Sequence, residues 1–233
     1  MRGFKIKLLW MSCFVLVSAA PVVWAQQEDD PFDRFIAGGG VFVQGLLLDL
    51  EPLETLMSTT FDNHSAFSNQ PFLIVFGGGG FAGRDTRIGT FGFSREWLGD
   101  TQNDTFEAAS LNLTYEGIYL EHLLYQASQF QVSLGATGGG GVWKVEMHSR
   151  SPSSFEDILA EPTSTTLRRD FYLIQPYLSA EYHLGFIGLQ LQAGMLGMMS
   201  FDPWRLPGGV AVQGGPFNMD LIPTITLSVL FGV

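Results

Sequence analysis

The chain has 233 residues and a formal net charge of −11, with 12 basic side chains against 23 acidic ones and a single cysteine. That acidic excess makes nucleic acid a poor partner, because phosphate binding needs the opposite sign. The length suits one domain of barrel or sandwich type, and one cysteine cannot supply a disulfide framework.

Residues 1–25 read as a cleaved export signal. Arg2, Lys5 and Lys7 precede an apolar stretch from Leu8 to Trp24, and Val23-Trp24-Ala25 places small residues before Gln26. Cys13 lies inside this segment. Residues 26–33 form an acidic tail whose carboxylates lack the order of a calcium loop. No later segment offers about 20 uninterrupted apolar residues, so a helical membrane protein is excluded.

The domain proper is expected over 34–233, and two-residue periodicity dominates it. Strands are predicted at 34–47, 71–83, 86–97, 106–125, 130–147, 168–184, 187–199 and 219–233. In 171–184 the even positions from Tyr172 to Leu184 are apolar, while Gln175, Ser179, Glu181 and His183 share the other face. In 109–119 the spacing sets Ala109, Leu111, Leu113, Tyr115 and Tyr119 on one apolar face. From Met219 onward, Leu221, Ile225, Leu227, Val229 and Phe231 alternate with mostly small polar residues. The joins alternate between long (48–70, 98–105, 148–167, 200–217) and tight (84–85, 126–129, 185).

Regular alternation of long and tight joins around eight strands predicts an all-β, antiparallel up-and-down barrel. The polar faces carry Ser, Thr, Asn, Gln and Gly, and Lys144 is the one lysine after residue 25. Small uncharged groups suit a narrow lumen better than a solvent-facing strand. The pattern resembles the class of small eight-stranded bacterial outer-membrane barrels, although Phe231 stands two residues before the end, where that class usually closes on an aromatic. The resemblance implies an outer-membrane location, with membrane lipid and the barrel-assembly machinery as partners. Loops 148–167 and 200–217 are the segments that would meet an extracellular partner.

Function is less legible. A structural, adhesive or narrow small-solute passage role is expected. Two readings stand beside it: a soluble exported lipocalin-like barrel holding an apolar ligand, and a lipid-modifying outer-membrane enzyme. For the last, Glu181 and His183 share a face near Gln190, but a lumenal hydrogen-bond network of these three is the simpler expectation. No cofactor or metal is expected, because the histidines are scattered and the domain has no cysteine.

Three glycine runs stand out: Gly38-Gly39-Gly40, Gly77-Gly78-Gly79-Gly80 and Gly138-Gly139-Gly140-Gly141. None ends in the Lys-Ser/Thr of a phosphate loop, so they read as structural bends in strands. Residues 71–76 are apolar on both faces, which calls for an interior partner. The candidate is a short helix from Pro52, with Leu53, Leu56 and Met57 on one side, within a segment 48–60 that folds back against the glycine-lined wall.

Overall fold

The structure, a computed structural model, describes residues 36–48, 72–100, 106–149, 164–212 and 219–232. The expected signal, the acidic tail and the Pro52 helix lie outside these residues. Eight long strands form the fold: β1 (Ile36–Leu46), β2 (Leu73–Gly83), β3 (Thr86–Asp100), β4 (Phe106–Ala127), β5 (Phe130–Ser149), β6 (Ser164–Leu184), β7 (Ile187–Met199) and β10 (Met219–Phe231). Between β7 and β10 the chain makes a small ribbon of β8 (Trp204–Arg205) and β9 (Ala211–Val212), joined to β6 at Arg168↔Arg205. Two-residue strands are too short to leave a periodic signal, and the sequence reading placed only a loop there.

Each long strand pairs with its sequence neighbour, β10 pairs with β1, and the β5–β6 pairing closes the ring. The stagger can be followed from partner to partner. Ile36 leads to Gly83, Arg87, Glu121 and Gly135, then to Tyr177, Gly194 and Thr224, and back to β1 at Leu46. One circuit therefore climbs ten residues, from 36 to 46. Eight strands with such a stagger tilt by about 35–45° and enclose a bore only as wide as interlocking side chains. The tight turns and both ends of the described barrel share one rim, and the long connections share the other.

The pleat sorts side chains by parity. On β6, Tyr172, Ile174, Leu178 and Tyr182 are exposed, while Leu173, Gln175, Tyr177, Ser179 and Glu181 are buried. On β7, Leu189 and Leu191 point outward; on β10, Ile225 and Leu227 do the same. On β4, however, the expected outward face is wrong. Leu111, Leu113 and Tyr115 are fully buried in the lumen, and Thr114, Glu116, Ile118 and Leu120 face out. Both faces of β4 hold apolar residues, so periodicity alone could not say which one turns inward.

The lumen has an apolar end and a polar end. Toward the long-loop rim, Leu46, Leu73, Val75, Leu113, Trp143 and Leu173 interlock as a dry core. This is the partner that the inner face of 71–76 required. Strands β4, β5 and β6, of 22, 20 and 21 residues, run well past β1 and β2 with 11 each. With the end of β3, which stays paired to β4 as far as Asp100↔Ala108, they rise from the barrel as a four-stranded blade.

The glycine runs divide by the same parity. A Cβ on inward Gly79 would fall on the carbonyl oxygen of Thr90 and 3.0 Å from the Phe42 ring; one on Gly77 would meet Phe93 at 2.7 Å. Backbones approach closely here, and the barrel's own rings fill the space above. Gly135 likewise lies beneath the Tyr177 ring, an aromatic resting on a bare backbone. Outward Gly138 has open space where a side chain would stand. Gly135→Val is therefore expected to destabilise the barrel by about 1–3 kcal/mol through overpacking, while Gly138→Val stays within about 0.5 kcal/mol. Urea unfolding midpoints of the refolded protein would separate the two.

Candidate functional site

At the short-turn rim the lumen is floored by a charged cluster that strand register assembles. Arg87 on β3 stands directly opposite Glu121 on β4. Gln131 on β5 and Gln190 on β7 flank Glu181 on β6. Inward parity then brings the two groups together across the bore. Arg87 Nη1 reaches Glu181 Oε2 at 2.7 Å and Glu121 Oε1 at 3.8 Å, and its guanidinium lies over the Phe81 ring, 5.2 Å from the centroid. Gln131 Nε2 donates to Glu181 Oε2 at 2.7 Å. Glu121 accepts from Ser179 Oγ at 3.1 Å and from Gln190 Nε2 at 3.2 Å. Glu121 and Glu181 are 2% and 1% exposed, so both carboxylates have left water. Buried charges persist only where partners and hydrogen bonds replace hydration.

The three residues singled out from sequence all lie here, but their connections differ from the expected ones. Gln190 serves Glu121 and not Glu181. His183 sits at the mouth of the floor, its Nε2 3.4 Å from Glu181 Oε1. Ser179 has its one hydroxyl proton within reach of Glu121 Oε2 at 3.1 Å and, more distantly, of the Ser133 carbonyl at 3.4 Å. A Glu–His pair needs an aligned nucleophile to perform acyl transfer, and the hydroxyl here is committed elsewhere. Arg87 and Glu121, the centre of the network, were missed.

Above the floor comes a neutral layer. Gln44 Nε2 donates to Thr226 Oγ1 at 2.9 Å, Gln175 Nε2 donates to Thr224 Oγ1 at 3.0 Å, and Tyr115 Oη donates to Gln44 Oε1. Gln44 Nε2 also reaches Gln175 Oε1 at 3.3 Å. Between this layer and the floor lies a cavity of about 30 Å³, whose lining includes Arg87, Glu121, Gln190 and Ser228 together with Phe42, Phe91 and Tyr119. A space of that size holds one or two waters. Among the described residues no group of three His, Cys, Asp or Glu side chains could hold a metal ion.

No protein-family model matches the chain, and no curated protein matches it in sequence. The geometry therefore stands on its own. Removing the one cation from a floor with two buried carboxylates leaves their charge uncompensated. Arg87→Met is expected to lower stability by about 3–5 kcal/mol, and the triple change Arg87→Met, Glu121→Gln, Glu181→Gln to recover most of that loss. Equilibrium unfolding of the wild type, the single and the triple variant in one detergent would check the sign and the recovery.

Proposed function

We propose that this chain is a bacterial outer-membrane barrel with a structural or adhesive role, acting through its surface and not through its bore. The observation that carries the reading is the outward apolar band. Leu189, Leu191, Ile225, Leu227, Val41 and Ile118 form part of a ring of exposed apolar side chains around the wall. Contiguous apolar surface of this extent has no place in water. On β6 the band runs from Tyr172 to Tyr182. Ten residues at about 3.3 Å, tilted by about 40°, span about 25 Å, the height of a lipid-facing belt.

The margins of the band support the same reading. Tyr172 and Phe201 mark it at one rim, and Tyr182, Phe186 and Phe130 at the other. Beyond Tyr172 the outward faces of the blade turn ionic, with Arg168–Asp170 and Lys144–Glu146 pairs, and the adjoining β8 ribbon adds Arg205–Asp202. Aromatic residues at the two interfaces with charged ones beyond are what a bilayer selects. In this reading the blade and the long loops stand outside the cell, where an extracellular partner would meet them, and lipid and the assembly machinery are the remaining partners.

The filled bore weighs against passage of solutes, since the floor, the glutamine layer and the apolar core lie in series. A soluble lipocalin-like barrel would turn a polar wall to water, whereas this wall carries the apolar band. Export and membrane insertion are expected to place the protein in the outer-membrane fraction and to make it heat-modifiable on gels. Recovery as a monomer in detergent-free buffer would overturn the reading. Leu191→Arg, mid-band, is expected to cost about 2–4 kcal/mol of stability in bilayers. Planar-bilayer recordings are expected to show no steady conductance.

A further inference from the structure

We infer, resting on the outer-membrane reading above, that the outer wall over β3 and β4 is a site for polar lipid head groups. They descend along it as far as Glu116 and leave the bilayer thinned on that side of the barrel. On β7 and β10 no outward pair, from Phe231↔Ile187 up to Met219↔Met199, carries a polar side chain. On β3 and β4 the apolar stretch is short. Ile88, Ile118 and Leu120 are exposed there. Above them Glu116 stands opposite Gly92, Ser94 opposite Thr114, and Glu96 opposite Asn112.

Height around the ring follows from the stagger. A climb of ten residues per circuit gives about one and a quarter residues for each of the eight strands. On that scale Glu116 lies about 6 Å below Tyr172, and Met219 about 6 Å above it. The long-loop margin of the apolar band therefore falls by about 12 Å from β10 to β4. The short-turn margin stays level. Thr86 and His122, joined by a 2.8 Å hydrogen bond, stand within about 4 Å of the height of Tyr182 and Phe231. A tilted barrel would displace both margins. Only one moves, so the band is a wedge, about 25 Å tall on β6 and about 15 Å between His122 and Glu116.

The chemistry of the sector says what covers it. Glu116 is exposed, and its cross-strand neighbours Gly92 and Gly140 have no side chain to shield the carboxylate. No hydrogen bond or ion pair joins it to another described residue. A carboxylate set among acyl chains is costly. Above it Ser94 Oγ and Thr114 Oγ1 lie 3.0 Å apart, and Thr114 donates on to Asn112 at 3.2 Å. This ladder runs without a break into the ionic face of the blade, where Lys144 stands opposite Asn112. The polar surroundings of the blade therefore continue down the wall to Glu116, and that continuity favours head groups over a second copy of the chain. A bilayer meets a short apolar stretch by thinning, at a modest cost per Å.

Nitroxide labels read the depth directly. On a Cys13→Ser background, Gly92→Cys and Met195→Cys are labelled in the full chain folded into phosphatidylcholine vesicles. A Cβ on Gly92 meets only Glu116 Cβ, at 3.9 Å, so a side chain fits there. Met195 faces outward on β7 and stands about one residue higher than Gly92. Collision with a water-soluble nickel chelate is nevertheless expected to be several-fold faster at Gly92→Cys, and collision with oxygen faster at Met195→Cys. Glu116→Leu is expected to bring the nickel rate at Gly92→Cys toward that at Met195→Cys, and an unchanged rate would overturn the role given to Glu116. Equally slow nickel collision at both labels would overturn the site and leave the outer-membrane reading intact. Slow collision with both agents at Gly92→Cys would also overturn it, since a second copy or another protein would then cover the face. Fast nickel collision at both labels would mean that no bilayer covers the wall, and the outer-membrane reading would fail with the site. Ser94→Cys against Ile174→Cys, also matched in height, decides the matter if either first variant does not fold.

Discussion

The girth of the ring governs everything inside it. Eight strands staggered by ten residues leave a bore in which opposite walls are within reach of each other's side chains. No inward residue can then be chosen independently of the one across from it. Where a ring points in, the neighbouring strand offers a bare backbone, as with Tyr177 over Gly135 and Phe42 over Gly79. Where a carboxylate points in, a guanidinium or an amide meets it. The glycine runs and the charged floor are two answers to one demand for complementarity at close quarters.

The two ends of the bore meet that demand with different chemistry. The floor is polar and joins strands far apart in sequence through charge-assisted hydrogen bonds, which are directional and admit few alternative packings. The opposite end uses shape alone: Leu46, Leu113, Trp143 and Leu173 exclude water without fixing hydrogen-bond geometry. That apolar core also roots the blade, since Leu111, Leu113, Trp143 and Val145 belong both to the core and to the extended strands. Material that is unusual in a lumen therefore links the wall to what projects from it.

Much of this fold was readable before any coordinates, because a strand with one apolar face writes a two-residue period into the chain. All eight long strands fall where the alternation put them, and the tight joins do too. The reading failed on β4, where Leu111 and Leu113 looked like the outer face. Period reports that a strand has two faces and is silent on which turns inward when both carry apolar residues. Arg87 and Glu121 escaped for a related reason. Arg87 sits beside a tight turn, where an arginine commonly meets solvent, and its closest acid, Glu181, is 94 positions away. Only the stagger of the closed ring brings them together. The glycines were recognised as structural, but their alternation between ring-bearing and open positions needed the pleat direction.

The unequal strand lengths have a bearing on how the ring comes into being. β4, β5 and β6 are joined in sequence order by long ladders whose partners start close together, such as Ala127↔Phe130. The seam between β1 and β10 joins residues nearly the full domain apart, such as Gly40 and Leu230. Entropy favours short closures over long ones, and contacts between distant residues form late. Assembly is then ordered: the blade hairpins zip first and form a template, and the seam is the last join. A nascent barrel stalled at that stage would still hold its tallest feature upright, with two unsatisfied edges, β1 and β10, waiting for each other.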